Sequence, residues 1–294
     1  MVRYSIGLPQ TLPAADVTRF ARRAEELGFD GVWTMDSVIG GATGHNPTLD
    51  GLHLLSYAAA VTETIRLGIA VIILPLRNPL LLARELASID RLSDGRLTVG
   101  VGLGIGDEDR AARLGFPAGR PVRRLVENVD VLRRAWTRSL AGYDGELYDL
   151  GDTAVEPLPV QEPHPPIWIG ARAEPALRRA VRIGDAWIGS GSSSVDDFVT
   201  QAAIVREAVA AGGRDPFPIA KRVYVTVGDG KPLEDHLDAM YSWPGLGARV
   251  AVSGSPDQIA EQLDRLREAG AQELLLHPLL DHFEQLEALA ELRR

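Results

Sequence analysis

Short apolar runs and amphipathic segments alternate along the chain. Residues 3–7 read as a first strand, and apolar side chains then recur at helical spacing over residues 17–27. Residues 67–74 (LGIAVIIL) are apolar without a break, which is typical of a parallel strand buried on both faces. The whole pattern predicts eight strands, most of them followed by a helix, at residues 3–7, 30–35, 67–74, 96–102, 167–170, 185–189, 218–227 and 273–276.

One junction recurs, in which a helix ends at a glycine and a strand begins directly afterwards. It occurs at Gly28, Gly184 and Gly270. Eight strand–helix units in 294 residues predict an α/β fold, a (β/α)8 TIM barrel with insertions in the βα loops. We expect a single domain over residues 1–294, with irregular insertions at about 140–166, which holds a small hairpin, and 228–254. An open, doubly wound sheet is the alternative.

Glycine occupies every second position of the stretch VGVGLGIG, residues 99–106. A dinucleotide-binding G-x-G-x-x-G match would need glycine at Ile105 or at Asp107, so that interpretation fails. The period of two predicts a strand with one bare face. We expect this face to look into the barrel, with room for bulky neighbours below and for a planar ring above.

Composition and charge exclude several classes of function. The chain has no cysteine, which rules out thiolate catalysis, and its net charge of −9 argues against nucleic acid as a partner. The six histidines have no metal-ligand spacing, and the acidic run at residues 107–109 is more typical of a solvated loop, so no metal is predicted. We find no signal-peptide pattern and no apolar run long enough for a membrane span, and we expect a cytoplasmic protein.

Catalytic groups of such barrels follow the carboxyl ends of the strands. Asp36 stands at one of these ends, where an acid can bind a cofactor ring, act as a base or cap a loop. Arg77 can bind an anion or pair with Asp36, and Asn78 is expected to cap the next helix. His45 lies in a glycine-rich loop within reach of a substrate, whereas His53 is expected to be a buried core histidine.

Two glycine-rich turns precede predicted helices. The stretch GARAEP, residues 170–175, offers backbone N–H groups, a helix N-terminus and Arg172 to a phosphate, and the turn at residues 189–194 (GSGSSS) is the second. Each is also compatible with a plain flexible connection. The chain lacks the lysine pattern of a P-loop.

Four segments carry a family resemblance: RRAEELGFDGVWTMD, IRLGIAVIILPLRNPLLLARELASIDRLSDGRLTVGVGLG, PPIWIGARAEPALRRAVRIGDAWIGSG and SGSPDQIAEQLDRLREAGAQELLLHPL. In these, the chain resembles the luciferase-like monooxygenase superfamily of flavin- and deazaflavin-dependent oxidoreductases. The resemblance implies a (β/α)8 barrel, a flavin-type cofactor at the carboxyl ends of the strands and, in many members, a homodimer.

The resemblance also implies site residues. Asp36 matches an aspartate beside the cofactor ring and is the expected catalytic residue. Residues 70–71 match a strand bulge that carries a non-prolyl cis peptide bond in many relatives, and residues 171–177 match the phosphate-binding loop. The implied cofactor-binding residues are Asp36, Ala70, Val71, Ile72, Gly102, Gly104, Gly170, Ala171, Arg172, Ala173, Glu174, Ala176 and Leu177. The expected substrate pocket contains Ser37, His45 and Ile105.

Two departures limit what the resemblance implies. Ser37 and Ile105 stand where the sugar-phosphate dehydrogenases of the superfamily have a histidine and a glutamate, which argues against that reaction. The stretches GFDGVWTMD and LPLRNP and the excess of arginine over lysine resemble the deazaflavin-using members of the superfamily more closely. This resemblance favours coenzyme F420, a deazaflavin, and hydride transfer to or from a small organic substrate. The alternatives are an FMN-dependent monooxygenase served by a flavin reductase, a non-redox lyase or isomerase, and a non-catalytic cofactor-binding protein.

Overall fold

The computed structural model describes residues 2–36, 48–104, 112, 115 and 119–293. Eight parallel strands form a closed barrel, because the strand Ala186–Gly189 pairs with Ile219–Val227 as well as with Ile167–Ala171. This confirms the predicted (β/α)8 fold. In order around the barrel, the strands are β1 (Arg3–Gly7), β2 (Gly31–Thr34), β3 (Arg66–Ile73), β4 (Leu97–Gly102), β7 (Ile167–Ala171), β8 (Ala186–Gly189), β9 (Ile219–Val227) and β11 (Glu273–His277).

Amphipathic helices surround the barrel, and several begin at a residue whose side chain caps them. Asn78 accepts hydrogen bonds from the backbone N–H groups of Leu80 and Leu81, as predicted, and Ser255 forms a capping box with Gln258. The helices are α1 (Ala14–Glu26), α2 (Gly51–Val61), α3 (Pro79–Leu92), α4 (Pro121–Trp136), α5 (Glu174–Ile183), α6 (Val195–Gly212), α7 (Lys231–Tyr241), α8 (Leu246–Val250), α9 (Pro256–Glu268) and α10 (His282–Glu291). None of the helices in the described part of the chain is long and apolar enough to span a membrane.

The two expected insertions differ in regularity. Residues 140–166 hold the predicted small hairpin, β5 (Tyr143–Asp144) and β6 (Asp149–Gly151), and are otherwise irregular. The expectation of an irregular segment at 228–254 was wrong. It contains α7, α8 and the short strand β10 (Val252–Gly254), which extends the sheet beside β9. Two of its glycines directly precede these helices, since Gly230 and Gly245 are the N-cap residues of α7 and α8.

Side chains fill the inside of the barrel. A cluster of buried residues occupies its middle, with Trp33 and Trp168 packed at a ring-centroid distance of 5.1 Å and the indole of Trp33 lying against Gly68.

At the amino-terminal end of the barrel, the buried carboxylate of Glu273 accepts hydrogen bonds from Arg3, Arg66 and Ser5. A binding site must therefore lie above this packed interior, at the carboxyl ends of the strands.

Candidate functional site

Strand β3 bulges near its carboxyl end. Ile69 pairs with Val99 and Ile72 pairs with Val101, so β3 holds one residue more than β4 between these two pairs. The peptide bond inside the bulge, Ala70–Val71, is cis. The bulge and the cis bond are therefore where the family resemblance implied them, whereas their contact with a cofactor stays a prediction.

The glycine face of β4 looks into the barrel, as predicted from VGVGLGIG. The side chain of Val71 fills the space in front of it: Cβ atoms built on Gly100 and Gly102 would lie 3.3 and 2.9 Å from its methyl groups. A Cβ on Gly170 of β7 would lie 3.1 Å from the same side chain. The glycines thus accommodate a half-buried valine at the barrel mouth.

Asp36 anchors the end of the bulged strand. Its side chain is 2% exposed, and one carboxylate oxygen accepts a hydrogen bond from the backbone N–H of Ile73 at 3.0 Å. The other oxygen accepts one from the Arg77 guanidinium at 2.7 Å. Of the two roles considered for Arg77, the structure shows the pairing with Asp36. The Gln10 side chain fixes the neighbouring backbone through both the N–H and the carbonyl of Met35.

One histidine prediction was wrong. His53 is not a core residue, because its side chain is 90% exposed in the first turn of α2. Its ring Nδ1 lies 2.9 Å from the carboxylate of Asp50, which also caps the helix. The buried apolar residues of α2 lie on its other faces. Being part of an apolar helix was therefore not enough to predict that His53 is buried.

Arg222 of β9 spans the barrel. Its guanidinium donates a hydrogen bond of 2.7 Å to the carbonyl of Ala70 in the bulge of β3, the strand on the opposite side. Its Nε is buried and has no hydrogen-bond partner among the described residues. The side chain covers the apolar interior and carries a donor that no acceptor in the described part of the chain satisfies, and an acceptor on a bound ring would satisfy it.

Aromatic and imidazole side chains stand beside Arg222. The hydroxyls of Tyr224 and Tyr241 are 2.7 Å apart, and the Arg222 guanidinium carbon lies 5.3 Å from the centroid of the Tyr224 ring. His277 packs directly against Gly7, where a Cβ would overlap its ring. Burial, with the charge of Arg222 and of His282 next in order, lowers the pKa of His277 to about 3.

This depressed pKa predicts acid sensitivity. An unfolded chain protonates His277 near its ordinary pKa of 6.5, whereas the folded chain does so near 3, so stability is lost as the pH falls from 6.5 towards 3. We expect this residue to contribute a slope of up to about 1.4 kcal/mol per pH unit. Urea unfolding of the wild type and of His277→Gln measures the difference. His53→Gln, at an exposed histidine, is the control, and parallel pH profiles for all three proteins would contradict the prediction.

The predicted phosphate-binding site lies between β7 and α5. Helix α5 starts at Glu174 after Ala173, a residue without a side-chain acceptor to cap it. Arg172 reaches the next loop, where its Nη1 donates to the hydroxyl of Ser192 at 3.1 Å. Two glycine-rich turns predicted separately are therefore joined, and a basic side chain lies beside a helix N-terminus, as an anion site requires.

The structure divides the predicted site residues into three groups. Gly102, Gly170, the bulge and Asp36 lie around the mouth, Gly104 lies against the side chain of Ile73, and residues 172–176 lie beside the mouth. The side chains of Ile72, Ala171 and Leu177 instead pack in the core between the barrel and the helices, so only their backbone can face a ligand. The expected pocket residues Ser37, His45 and Ile105 lie outside the described residues.

Sequence reasoning missed the polar groups of β9. Lys221, Arg222 and Tyr224 all lie on this strand, and all three are largely buried. The signal was present, since two adjacent basic residues interrupt an otherwise apolar strand (IAKRVYVTV). A strand interior rarely carries such charges unless they meet partners.

The donor set fits a flavin-type cofactor better than a metal. No group of three or more histidine, aspartate or glutamate side chains within the described ranges could hold a metal ion. The Nε of Arg222, which has no partner among the described residues, and the guanidinium of Arg172 offer donors and positive charge to a ring with a phosphate-bearing tail.

Comparisons with known proteins agree with this geometry. The family description "Luciferase-like monooxygenase" matches residues 3–243. An uncharacterized protein of Mycobacterium tuberculosis is 36% identical over 216 residues, 73% of this chain and 72% of that protein. An F420-dependent glucose-6-phosphate dehydrogenase of Kineococcus radiotolerans is 29% identical over 255 residues, 84% of this chain and 74% of that enzyme.

A solved structure extends the similarity of fold to almost the full length. An F420-dependent secondary alcohol dehydrogenase in complex with an F420–acetone adduct superposes with a TM-score of 0.81 and 17% identity, covering 99% of this chain and 98% of the other. At that identity the match supports the fold alone. The family match covers most of the chain: the protein belongs to the luciferase-like monooxygenase family and is an oxidoreductase with a flavin-type cofactor.

Proposed function

We propose that the chain binds coenzyme F420 and transfers hydride between it and a small organic substrate. The observation that carries the proposal is the alignment with an F420-dependent dehydrogenase over 84% of the chain. The geometry supports it through the basic side chains of Arg222 and Arg172, which lie beside the β3 bulge and the α5 N-terminus.

The protein's own residues have separable tasks in this proposal. Asp36 fixes the end of β3, and Arg222 fixes the Ala70 carbonyl, so the bulge presents one shape to the ring. Arg172 and the α5 N-terminus bind the phosphate of the tail. When bound, F420 supplies a hydride carrier whose carbon-substituted ring reacts poorly with oxygen, unlike that of FMN.

We do not extend the proposal to sugar phosphates. Ser37 and Ile105 replace the histidine and the glutamate that the sugar-phosphate dehydrogenases of the superfamily have. The similarity to a glucose-6-phosphate dehydrogenase therefore supports the cofactor more than the substrate. Asp36 is the residue we propose next to the reacting ring.

Cofactor titration tests the proposal. We expect F420 to bind the purified protein at least about tenfold more tightly than FMN, a difference of about 1.4 kcal/mol, as measured by fluorescence and absorbance. Tighter binding of FMN would favour the monooxygenase alternative with a reductase partner. Binding of neither would refute both redox proposals and leave a lyase or isomerase.

We also propose a single-domain, cytoplasmic homodimer. The family resemblance supports the dimer, and the surface of α3 offers two exposed leucines to a partner, Leu81 at 64% and Leu92 at 68% exposure. Light scattering of the purified chain distinguishes a dimer from a monomer. A monomer at all accessible concentrations would remove the dimer from the proposal.

A further inference from the structure

Lys221 is a buried basic residue that the proposed function does not use. It lies on β9, next to Arg222, but its side chain points the other way and runs between the barrel and α6. A Cβ on Gly189 would lie 3.2 Å from its Cδ, and its ammonium lies 6.0 Å from the Phe198 ring centroid. The side chain is 2% exposed and ends beneath the turn of residues 190–194.

The ammonium of Lys221 holds the backbone of this turn. It donates hydrogen bonds to the carbonyls of Ser190 and of Ser193, the second at 2.7 Å. Arg249 donates a longer one, 3.4 Å, to the carbonyl of Ser192. Three carbonyls of the turn are thus directed to basic side chains.

The serine hydroxyls of the turn have different partners. Those of Ser190 and Ser192 are 2.9 Å apart, and Arg172 donates to the second. A Cβ on Gly191 would lie 2.9 Å from the Arg222 Nε, so the turn also lies against the mouth. The hydroxyls are therefore joined to Arg172, the basic side chain beside the α5 N-terminus that we propose for the anionic group of the cofactor.

Charges of both signs surround Lys221. Asp197 of α6 accepts a hydrogen bond from the Ser194 backbone N–H and lies 3.8 Å from Arg249. On the other side are Arg222, its neighbour on β9, and Arg172 of the β7–α5 loop. Burial is the main cause that lowers the pKa of Lys221 to about 7, Arg222 acts in the same direction, and Asp197 opposes it.

We propose that Lys221 is a positioning residue for the anionic group of the cofactor, and that its protonation is coupled to cofactor binding. Its ammonium binds the carbonyl groups of the turn, so the serine hydroxyls and Arg172 remain the groups that bind the anion. An anion bound at the same turn favours the charged form of the buried ammonium, and by linkage the charged form favours the anion. The inference rests on the proposed function for the identity of that anion, the phosphate-bearing tail.

The chain offers an unusually clean test, because Lys221 and Lys231 are its only lysines. Lys231 is exposed at the start of α7, where it pairs with Asp235, and serves as the internal control. Full-length protein labelled with [ε-¹³C]lysine gives two lysine NMR signals, which Lys231→Arg assigns. Each signal is titrated with pH in the free protein, with saturating F420, with saturating FMN and with inorganic phosphate.

We expect F420 to raise the titration midpoint of Lys221 by about one pH unit, and to leave that of Lys231 unchanged. Reciprocally, F420 affinity should fall roughly tenfold more between pH 6 and pH 9 in the wild type than in Lys221→Met. Because the wild type and Lys221→Met bind the same cofactor, comparing them cancels the effect of the cofactor's own ionisation on the affinity. Lys231→Met should retain the wild-type profile.

The possible failures are distinguishable. If F420 binds and the Lys221 signal does not respond, or if Lys221→Met binds with wild-type affinity and pH profile, the inference is overturned and the proposed function stands. If neither F420 nor FMN binds, the proposed function fails, and the phosphate titration alone decides whether an anion is coupled to Lys221. If Lys221→Met does not fold, the wild-type titrations decide.

Discussion

Asp36→Ala is expected to cost about 3 kcal/mol of folding free energy, because a buried, charge-assisted hydrogen bond and an ion pair are lost together. The backbone N–H of Ile73 loses its acceptor, and the guanidinium of Arg77 keeps only its longer contact of 3.7 Å with the carboxylate of Asp50. The end of β3 is then free to move, so cofactor affinity should fall at least about tenfold, or 1.4 kcal/mol. Urea unfolding measures the first effect and fluorescence titration the second.

Two further variants make the result specific. Asp36→Asn retains an oxygen acceptor without the charge and should give intermediate values. Asp16→Ala removes a carboxylate that pairs with Arg19 on the surface of α1, and it should cost less than about 0.5 kcal/mol. Equal cofactor affinities for Asp36→Ala and Asp16→Ala would remove Asp36 from the proposed site.

Gly100→Ala is expected to destabilise the protein by about 3 kcal/mol, the upper end for a single added methyl group. The new Cβ would overlap the carbonyl oxygen of Ile69, which belongs to the backbone of β3 and cannot rotate away. The two strands must separate beside the bulge, and we expect cofactor binding to weaken as well. Thermal and urea unfolding measure the loss of stability.

Gly102→Ala is the matched control, two residues along the same face. Its Cβ would meet a methyl group of Val71 at 2.9 Å, and a half-buried side chain can shift where a backbone carbonyl cannot. We expect a cost of about 1 kcal/mol. Equal costs at the two positions would show that the backbone contact does not limit the residue at position 100.

The barrel strands were predictable because each is a short, nearly continuous apolar run. The predicted and observed ends of β1 agree, and those of β4 and β11 differ by one residue. The glycine face of β4 was also predictable, because glycine at every second position of a strand places all of these glycines on one face of the sheet. Local patterns therefore decided most of the fold.

Long-range polar contacts were not predictable in the same way. Arg222 meets Ala70 across the closed barrel, which no local pattern encodes. The pairing of Asp36 with Arg77 was one of two roles that the sequence left open, and only the structure decides between them. The helices of residues 228–254 were missed because glycines at their N-caps resemble loop residues. The burial of His53 was predicted wrongly, because helical spacing shows which residues share a face of the helix but not which face packs against the rest of the protein.

The hydrogen bond between Arg222 and Ala70 joins residues 152 positions apart in the sequence. An engineer who exchanges half-barrels between homologues would place one end of this contact in each parent. A recombined gene that brings a bulkier or uncharged residue to position 222 would leave the Ala70 carbonyl without its donor. Crossover points are therefore best chosen so that β3 and β9 come from the same parent.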